Sequence, residues 1–309
     1  MGQALSARII DGKKIADDIK SEVKQAVEKL KAERGITPGL AFILVGEIPA
    51  SQIYVRMKGK ACGEVGFYSI TENMPVDTSE ETLLKKIHEF NNDVRIHGIL
   101  VQLPLPKHIN EGRVIESVNP RKDVDGFHPM NVGKMMIGQP AYLPCTPAGI
   151  QQLLIRSGND PGGKHVVVVG RSNIVGKPIA NILFQKKPGA NAVVTVCHTA
   201  VKDIAKYTKQ ADILIAAIGK AEAITGEMIK EGAVVVDVGI NRVDDPTAKN
   251  GYRIVGDVHF ESAKEVASAI TPVPGGVGPM TIAMLMLNTL KAARGDIYGT
   301  GFDQMDSAS

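Results

Sequence analysis

Six short runs of the chain are apolar at nearly every residue rather than at alternate ones: GLAFILVG (39–46), GILVQLPLP (98–106), HVVVVG (165–170), AVVTV (192–196), DILIAAIG (212–219) and AVVVDVG (233–239). A strand with one face in water alternates apolar and polar side chains. A strand that is apolar throughout must be covered on both faces, as in a parallel sheet packed between helices. The segments between the runs supply such helices: Ile15, Ile19, Val23, Val27 and Leu30 form one stripe along 12–34, and 79–91 and 110–118 are also amphipathic. Strands alternating with helices imply an α/β fold with right-handed crossovers.

At 309 residues the chain suits two domains rather than one. Residues 119–148 break the strand–helix rhythm with Pro, Gly and polar residues, so the junction is placed at their end. The segment 279–294, PMTIAMLMLNTLKAAR, is a helix apolar on almost all sides and has to be buried, which is met if it returns to the first domain. The expected division is 1–148 with 277–309, enclosing a second domain at 149–276. The polar tail IYGTGFDQMDSAS is read as frayed.

With 36 basic and 33 acidic residues the chain has no broad basic field, which argues against nucleic acid and leaves room for small acidic ligands. Cys62, Cys145 and Cys197 lie far apart, with none of the spacing of a zinc site or a disulfide framework, so they read as buried side chains in a reducing cytoplasm. No run approaches the roughly 18 apolar residues of a membrane span, and the N-terminus lacks the pattern of a signal peptide. Gly2 and Ser6 fit a myristoylation pattern, but ARIIDGKKIADDIK after them reads as structure from its first residues, and the match is taken as chance.

Four stretches carry chemistry. VVVVGRSNIVGKP (166–178) is a strand, a glycine turn and a helix start of the kind that presents backbone N–H groups to a dinucleotide's phosphates. Ser172 stands at the second glycine position of the usual fingerprint, and the next glycine is Gly176. The strand after this helix ends TVCHTAV, with no acid before Asp203 to hold a ribose hydroxyl; Arg171 offers a planar guanidinium for a 2′-phosphate, which favours NADP over NAD. NPRKDVDGFHP (119–129) gathers Lys122, Asp123, Asp125 and His128. A metal pair lacks further ligands there, a solvated turn is at least as good a reading, and the functional one has an Asp accept from a ligand's amino and amide groups.

Gln102 ends a buried strand, where ligands of α/β sheets bind, though it also reads as a strand cap. Tyr54 and Lys58 share a face of the helix in SQIYVRMKGKACGEVGF (51–67), which ends near Gly66. Spacing alone makes Lys58 a solvated charge; a lysine desolvated beside an aromatic ring can instead move protons.

Taken together, ASQIYVRMKGKACGEVGF, HGILVQLPLP, KDVDGFHPMNVG, PCTPAGI, VVVGRSNIVGKP, VVVDVGIN and TPVPGGVGPMT closely resemble the bifunctional methylenetetrahydrofolate dehydrogenase/methenyltetrahydrofolate cyclohydrolase family, in order from about Ile9 to Arg294. The resemblance implies a folate-binding domain, a Rossmann domain for NADP, tetrahydrofolate derivatives as substrates, no metal, and a homodimer with contacts through the cofactor domain.

Matched by motif, it implies Lys58 as cyclohydrolase catalyst, Tyr54 beside the folate, Gln102 tuning Lys58, and Asp125 as pterin anchor. Arg171 and Ser172 would meet the 2′-phosphate and its surroundings, with Gly170, Ile174, Val175 and Gly176 building the turn and Thr199 and Ile240 adding to the cofactor site. Thr271, Pro272, Gly275 and Gly276 would border folate and nicotinamide. Many bacterial members read His-Ser-Arg-Thr where this chain has His198, Thr199, Ala200 and Val201. That arginine is missing, so NAD stays open as a second cofactor. Two other readings remain: a dehydrogenase without cyclohydrolase activity, and a nucleotide-sensing module without turnover.

Overall fold

The computed structural model describes residues 6–248 and 250–299. Gly2 and the tail beyond 299, read above as a chance modification pattern and a frayed end, lie outside the described residues. In chain order the elements begin β1 (Arg8–Ile9), α1 (Gly12–Arg34), β2 (Gly39–Val45), α2 (Pro49–Val65), β3 (Tyr68–Met74), α3 (Glu80–Asn92) and β4 (Gly98–Val101). Three helices follow, α4 (Glu111–Ser117), α5 (Pro129–Met136) and α6 (Cys145–Arg156), then β5 (His165–Val169), α7 (Gly176–Phe184), β6 (Val193–Cys197), α8 (Ala205–Thr208) and β7 (Ile213–Ala216). The last elements are β8 (Val234–Asp237), β9 (Asn241–Asp244), β10 (Tyr252–Val255), α9 (Phe260–Lys264), β11 (Ala269–Ile270) and α10 (Val277–Arg294).

The chain divides into two compact units. One, from Asp18 to Cys145 and again from Ile282, holds a parallel three-stranded sheet in the order β3-β2-β4. Its central strand β2 is buried at every residue, as the unbroken apolar run requires. Ala41, Ile43 and Val45 of β2 join Ile99 of β4 and Leu83, Ile87 and Phe90 of α3 in one core. Ser79 caps α3, its hydroxyl accepting from Thr82 N at 3.2 Å.

The other unit, up to Asp17 and from Thr146 to Thr281, holds a parallel six-stranded sheet in the order β1-β11-β8-β7-β5-β6. β7, β5 and β8 are fully or almost fully buried, the Rossmann-like arrangement expected of the valine-rich runs. A separate antiparallel pair, β9 with β10, lies outside that sheet.

The expected domain division differs from these units at the N-terminus. β1 pairs in parallel with β11, Arg8 opposite Ala269 and Ile9 opposite Ile270, so Arg8 and Ile9 join the six-stranded sheet rather than the first domain. A strand of two residues is too short to leave an apolar run in the sequence. β3 also lacks one: it is an edge strand, largely exposed, and its sequence YSITENM is correspondingly polar. The irregular stretch 119–148 contains α5 and the start of α6.

The apolar C-terminal helix is buried as expected and ends in the three-stranded unit. There Asn288 donates to Val124 O at 2.9 Å and Leu143 O at 3.0 Å, and Met286 meets the Cys62 thiol.

Candidate active site

The register of α2 decides where Lys58 goes. Its buried positions are Ser51, Val55, Lys58, Ala61, Cys62 and Val65, which recur every turn along one face, so Lys58 sits on the buried stripe. The solvated lysine that spacing alone favoured is overturned: Lys58 is 8% exposed, and its ammonium donates to Gln102 Oε1 at 3.0 Å. Flanking Val55 and Cys62 are the signal that was there to be read. α2 stops as expected at Gly66, whose φ of 80° is left-handed, and Phe67 N closes the turn on Cys62 O at 2.8 Å. Tyr54, one turn before Lys58, is 36% exposed, and partial burial raises its phenol above the ordinary value.

Gln102 follows β4 and extends its ladder, N–H to Ile43 O at 2.9 Å. Its amide nitrogen donates to Leu103 O at 2.7 Å, which turns the amide oxygen toward Lys58. Gln102 is therefore more than a strand cap.

The stretch 119–129 is not a solvated turn. Lys122, 2% exposed, caps the end of α3 by donating to Phe90 O at 3.0 Å and Asp93 O at 2.9 Å. Burial lowers its pKa to about 8. The Asp123 carboxylate accepts from Phe127 N at 3.1 Å, His128 N at 2.9 Å and Asn131 Nδ2 at 2.8 Å, so it is spent on holding the turn; burial still raises its pKa to about 7. His128 is the N-cap of α5, accepting from Met130 N. The described residues contain no cluster of three metal-ligating side chains.

Asp125 is different. It is half-buried, and burial raises its pKa, opposed by the Lys58 charge and a hydrogen bond from the Cys145 thiol. Cys145 in turn has its pKa driven well above the usual thiol value by burial and the Asp125 charge. Gly126 (φ 74°) brings the loop against residues 142–144, where a Cβ would lie 2.6 Å from Pro144 N, and Asn288 bonds both sides of that contact through the carbonyls of Val124 and Leu143. Asn288 was not singled out from sequence, and Cys145 was read only as a buried side chain, which it is, since neither stands in a catalytic pattern.

In the six-stranded sheet every strand is parallel, so one edge collects all the carboxyl ends, where α/β sheets bind ligands. Gly170 follows β5, Thr199 follows β6, Ile240 lies beyond β8 and Thr271 follows β11, which brings the expected cofactor residues to that edge. Gly170 has φ 138°, and a Cβ on it would lie 2.2 Å from Ala217 O; a Cβ on Gly176 would lie 2.3 Å from Gly170 O. Both must be glycine for the turn to close. Ser172, at the missing glycine's place, accepts with its hydroxyl from Val175 N at 3.1 Å and Gly176 N at 3.3 Å. Arg171 is exposed, and Ile174 and Ile240 hold large apolar side chains in solvent at the same edge, 45% and 53% exposed.

Thr271 is fully buried, its hydroxyl accepting from Asp237 N at 2.8 Å, so its side chain shapes the loop from inside. The following loop turns at Gly275 (φ 106°) and packs tightly, since a Cβ on Gly276 would lie 2.5 Å from Pro272 O.

Family models match both parts of the chain: the catalytic domain of tetrahydrofolate dehydrogenase/cyclohydrolase over residues 10–125, and its NAD(P)-binding domain over residues 144–297. The chain belongs to the tetrahydrofolate dehydrogenase/cyclohydrolase family. It is 59% identical to the bifunctional protein FolD of Syntrophobacter fumaroxidans and 60% identical to that of Syntrophus aciditrophicus, each time over 94% of this chain and 98% of the relative. Among solved structures, the bifunctional FolD of Campylobacter jejuni aligns with a TM-score of 0.88 at 48% identity, over 94% of this chain and 99% of that one. The Trypanosoma brucei FolD complexed with NADP and an inhibitor aligns with a TM-score of 0.89 at 40% identity, over the same shares.

Proposed function

We propose that this family member is bifunctional: it oxidises 5,10-methylenetetrahydrofolate to the 5,10-methenyl form with NADP, then hydrolyses that product to 10-formyltetrahydrofolate. The observation that carries the reading is the buried Lys58–Gln102 pair beside Asp125, in a chain that also keeps a closed glycine turn at a parallel sheet's carboxyl edge.

The oxidation requires no proton to leave the substrate, so the protein's task is alignment. A bound dinucleotide supplies the hydride acceptor. The residues fit one: Gly170, Val175 and Gly176 let the turn close, Ser172 orders it, and Arg171 stands free for a 2′-phosphate. Ile174, Thr199 and Ile240 line the same edge. Thr271 acts from within the fold, setting the loop that holds Pro272, Gly275 and Gly276. NADP is the preferred cofactor, and NAD is the second candidate because no arginine follows Thr199.

Hydrolysis does require proton transfer. In its neutral amine form, Lys58 takes a proton from the water attacking the one-carbon bridge, which leaves a hydroxyl on that carbon. It then returns a proton to the nitrogen as the carbon–nitrogen bond opens, and the hydroxyl's proton leaves to solvent as the formyl carbonyl forms. Its side-chain partner, Gln102, is a neutral amide that fixes its position, while Tyr54 stands one turn away beside the folate. Asp125 anchors the pterin: unlike Asp123 its carboxylate is not consumed by backbone amides, and a carboxylate can accept from two adjacent donors of a ligand.

The assembly we propose is a homodimer through the cofactor domain. β6 is an edge strand with Val193 66% and Val196 42% exposed, beside Phe184 on α7 at 50%, an apolar edge that a second copy would cover. Val196→Lys should turn a sedimenting dimer into a monomer; an unchanged mass refutes this interface. The cytoplasm is the proposed location, supported by three free, buried cysteines; no helix among the described residues is long and apolar enough to cross a membrane.

The test of function supplies methylenetetrahydrofolate with NADP or NAD and follows reduced cofactor and the methenyl and formyl products. Both steps are expected with NADP. Dehydrogenation without hydrolysis would leave the dehydrogenase-only reading, and no product with either cofactor would leave a binding module.

A further inference from the structure

Two buried carboxylates in the six-stranded unit have no part in the chemistry above. Asp237 ends β8 and Asp257 follows β10; they are 4% and 0% exposed. Asp237 Oδ1 accepts from Gly239 N and Asp257 N, both at 2.9 Å, and its Oδ2 accepts from Val258 N at 2.9 Å. Asp257 collects four donors: Ile218 N at 2.5 Å and Gly219 N at 2.9 Å on Oδ2, Lys220 N at 3.0 Å and Asn241 Nδ2 at 2.9 Å on Oδ1. The crossing leaves no room for other residues beside it. A Cβ on Gly256 would lie 1.8 Å from Asp237 Oδ2, and one on Gly239 would lie 2.3 Å from Asp257 Oδ1.

Three consecutive amides turned onto one carboxylate bind the loop 218–220 from its inner side. That loop continues β7 at the sheet's carboxyl edge and abuts the glycine turn: Ala217 N donates to Val169 O at 2.8 Å, and Ala217 O is the atom that excludes a side chain at Gly170. The outer side of the loop is open, with Gly219 and Lys220 exposed and no atom within 4 Å of a Cβ built on Gly219. Through Thr271, which accepts from Asp237 N, the same network reaches the 271–276 loop. A fully buried charge adds little net stability over an apolar replacement of its size, whereas it fixes the groups bonded to it in one arrangement.

We propose that Asp257 is a positioning residue for the dinucleotide: it holds the 218–220 loop as a wall of the cofactor site without itself touching cofactor or folate. This rests on the dinucleotide reading of the Gly170 turn. The experiment uses the full chain carrying Asp257→Asn, and separately the milder Asn241→Ala, which removes one of the four donors. NADP affinity is measured by titration, alongside hydrolysis of supplied methenyltetrahydrofolate, which consumes no dinucleotide and relies on Lys58, Gln102 and Asp125 in the other unit.

Asp257→Asn should weaken NADP binding about tenfold or more and Asn241→Ala about threefold, both with methenyl hydrolysis within about twofold of the parent. Unchanged NADP affinity in a folded Asp257→Asn protein overturns the proposal. So does joint loss of both activities in that variant combined with unchanged NADP affinity in Asn241→Ala, which marks a purely structural carboxylate. A parent protein that hydrolyses the methenyl substrate but binds no dinucleotide overturns the cofactor reading, and the positioning role with it.

Discussion

Replacing Lys58 by methionine keeps the length of the side chain and removes its charge. The position is 8% exposed, so methionine fills the same space on the core-facing stripe of α2. Two effects on stability oppose each other. The buried ammonium no longer has to be desolvated, and Gln102 Oε1 loses its donor, a cost of about 1–3 kcal/mol for a buried polar atom left unpaired. The net change should stay within about 2 kcal/mol of the parent.

The effect on hydrolysis is larger. A general acid–base group contributes about 10²- to 10⁴-fold, equal to about 3–5 kcal/mol of barrier. Lys58→Met should therefore oxidise methylenetetrahydrofolate and accumulate the methenyl product, with hydrolysis down at least about 100-fold. Lys58→Arg separates two roles: an arginine stays protonated and cannot accept a proton, yet keeps a cation near Asp125. If proton transfer is the role of Lys58, both variants lose hydrolysis; recovery in Lys58→Arg would mean the lysine serves only as a charge. Hydrolysis by Lys58→Met within about tenfold of the parent would refute the assignment.

Gln102→Leu should slow hydrolysis by about 10- to 100-fold, the loss of one hydrogen bond to a charged group, while reduced-cofactor formation is largely retained. Arg171→Ser should raise KM for NADP by about 10- to 100-fold and leave KM for NAD unchanged; equal effects on both cofactors would place Arg171 away from the 2′-phosphate. Asp123 has its pKa raised by burial to about 7 from 3.8, so the native state takes up a proton that the unfolded chain takes up only near pH 4. Its contribution to stability is complete below about pH 4 and is lost as pH rises through about 7. Asp123→Asn should remove that part of the profile, seen as a difference between the two proteins' denaturation midpoints across pH 4–7. In Lys58→Met, the Asp125 carboxyl loses the cation that opposes its burial, so the acid limb of folate KM should move to higher pH.

What the sequence determined by itself was whatever depends on runs and local spacing. An unbroken apolar run such as HVVVV has only one stable setting, a strand covered on both faces, so the central strands and the α/β class follow from composition along the chain. The end of α2 at Gly66 and the closed turn at Gly170 likewise rest on what a glycine backbone permits. Long motifs placed the chain in its family, because no other arrangement of those blocks in that order needs to be considered.

The tertiary structure decided which polar groups are used by the fold and which are left over. KDVDG presents Asp123 and Asp125 as equals in sequence; only packing shows three donors on the first, and the second set against Lys58 and Cys145. Thr271 and Ser172 stand in the cofactor motifs, yet their hydroxyl oxygens accept from backbone amides. β1 and β3 escape notice because a two-residue strand and an exposed edge need no apolar run. Lys58 lies between these cases. Helical spacing put it on one face with Tyr54 and favoured a solvated lysine, whereas the fold buries it against Gln102, 44 residues away, which reaches it from a strand's end. A buried charge is tolerable only where such a partner arrives, and that is a fact of three dimensions.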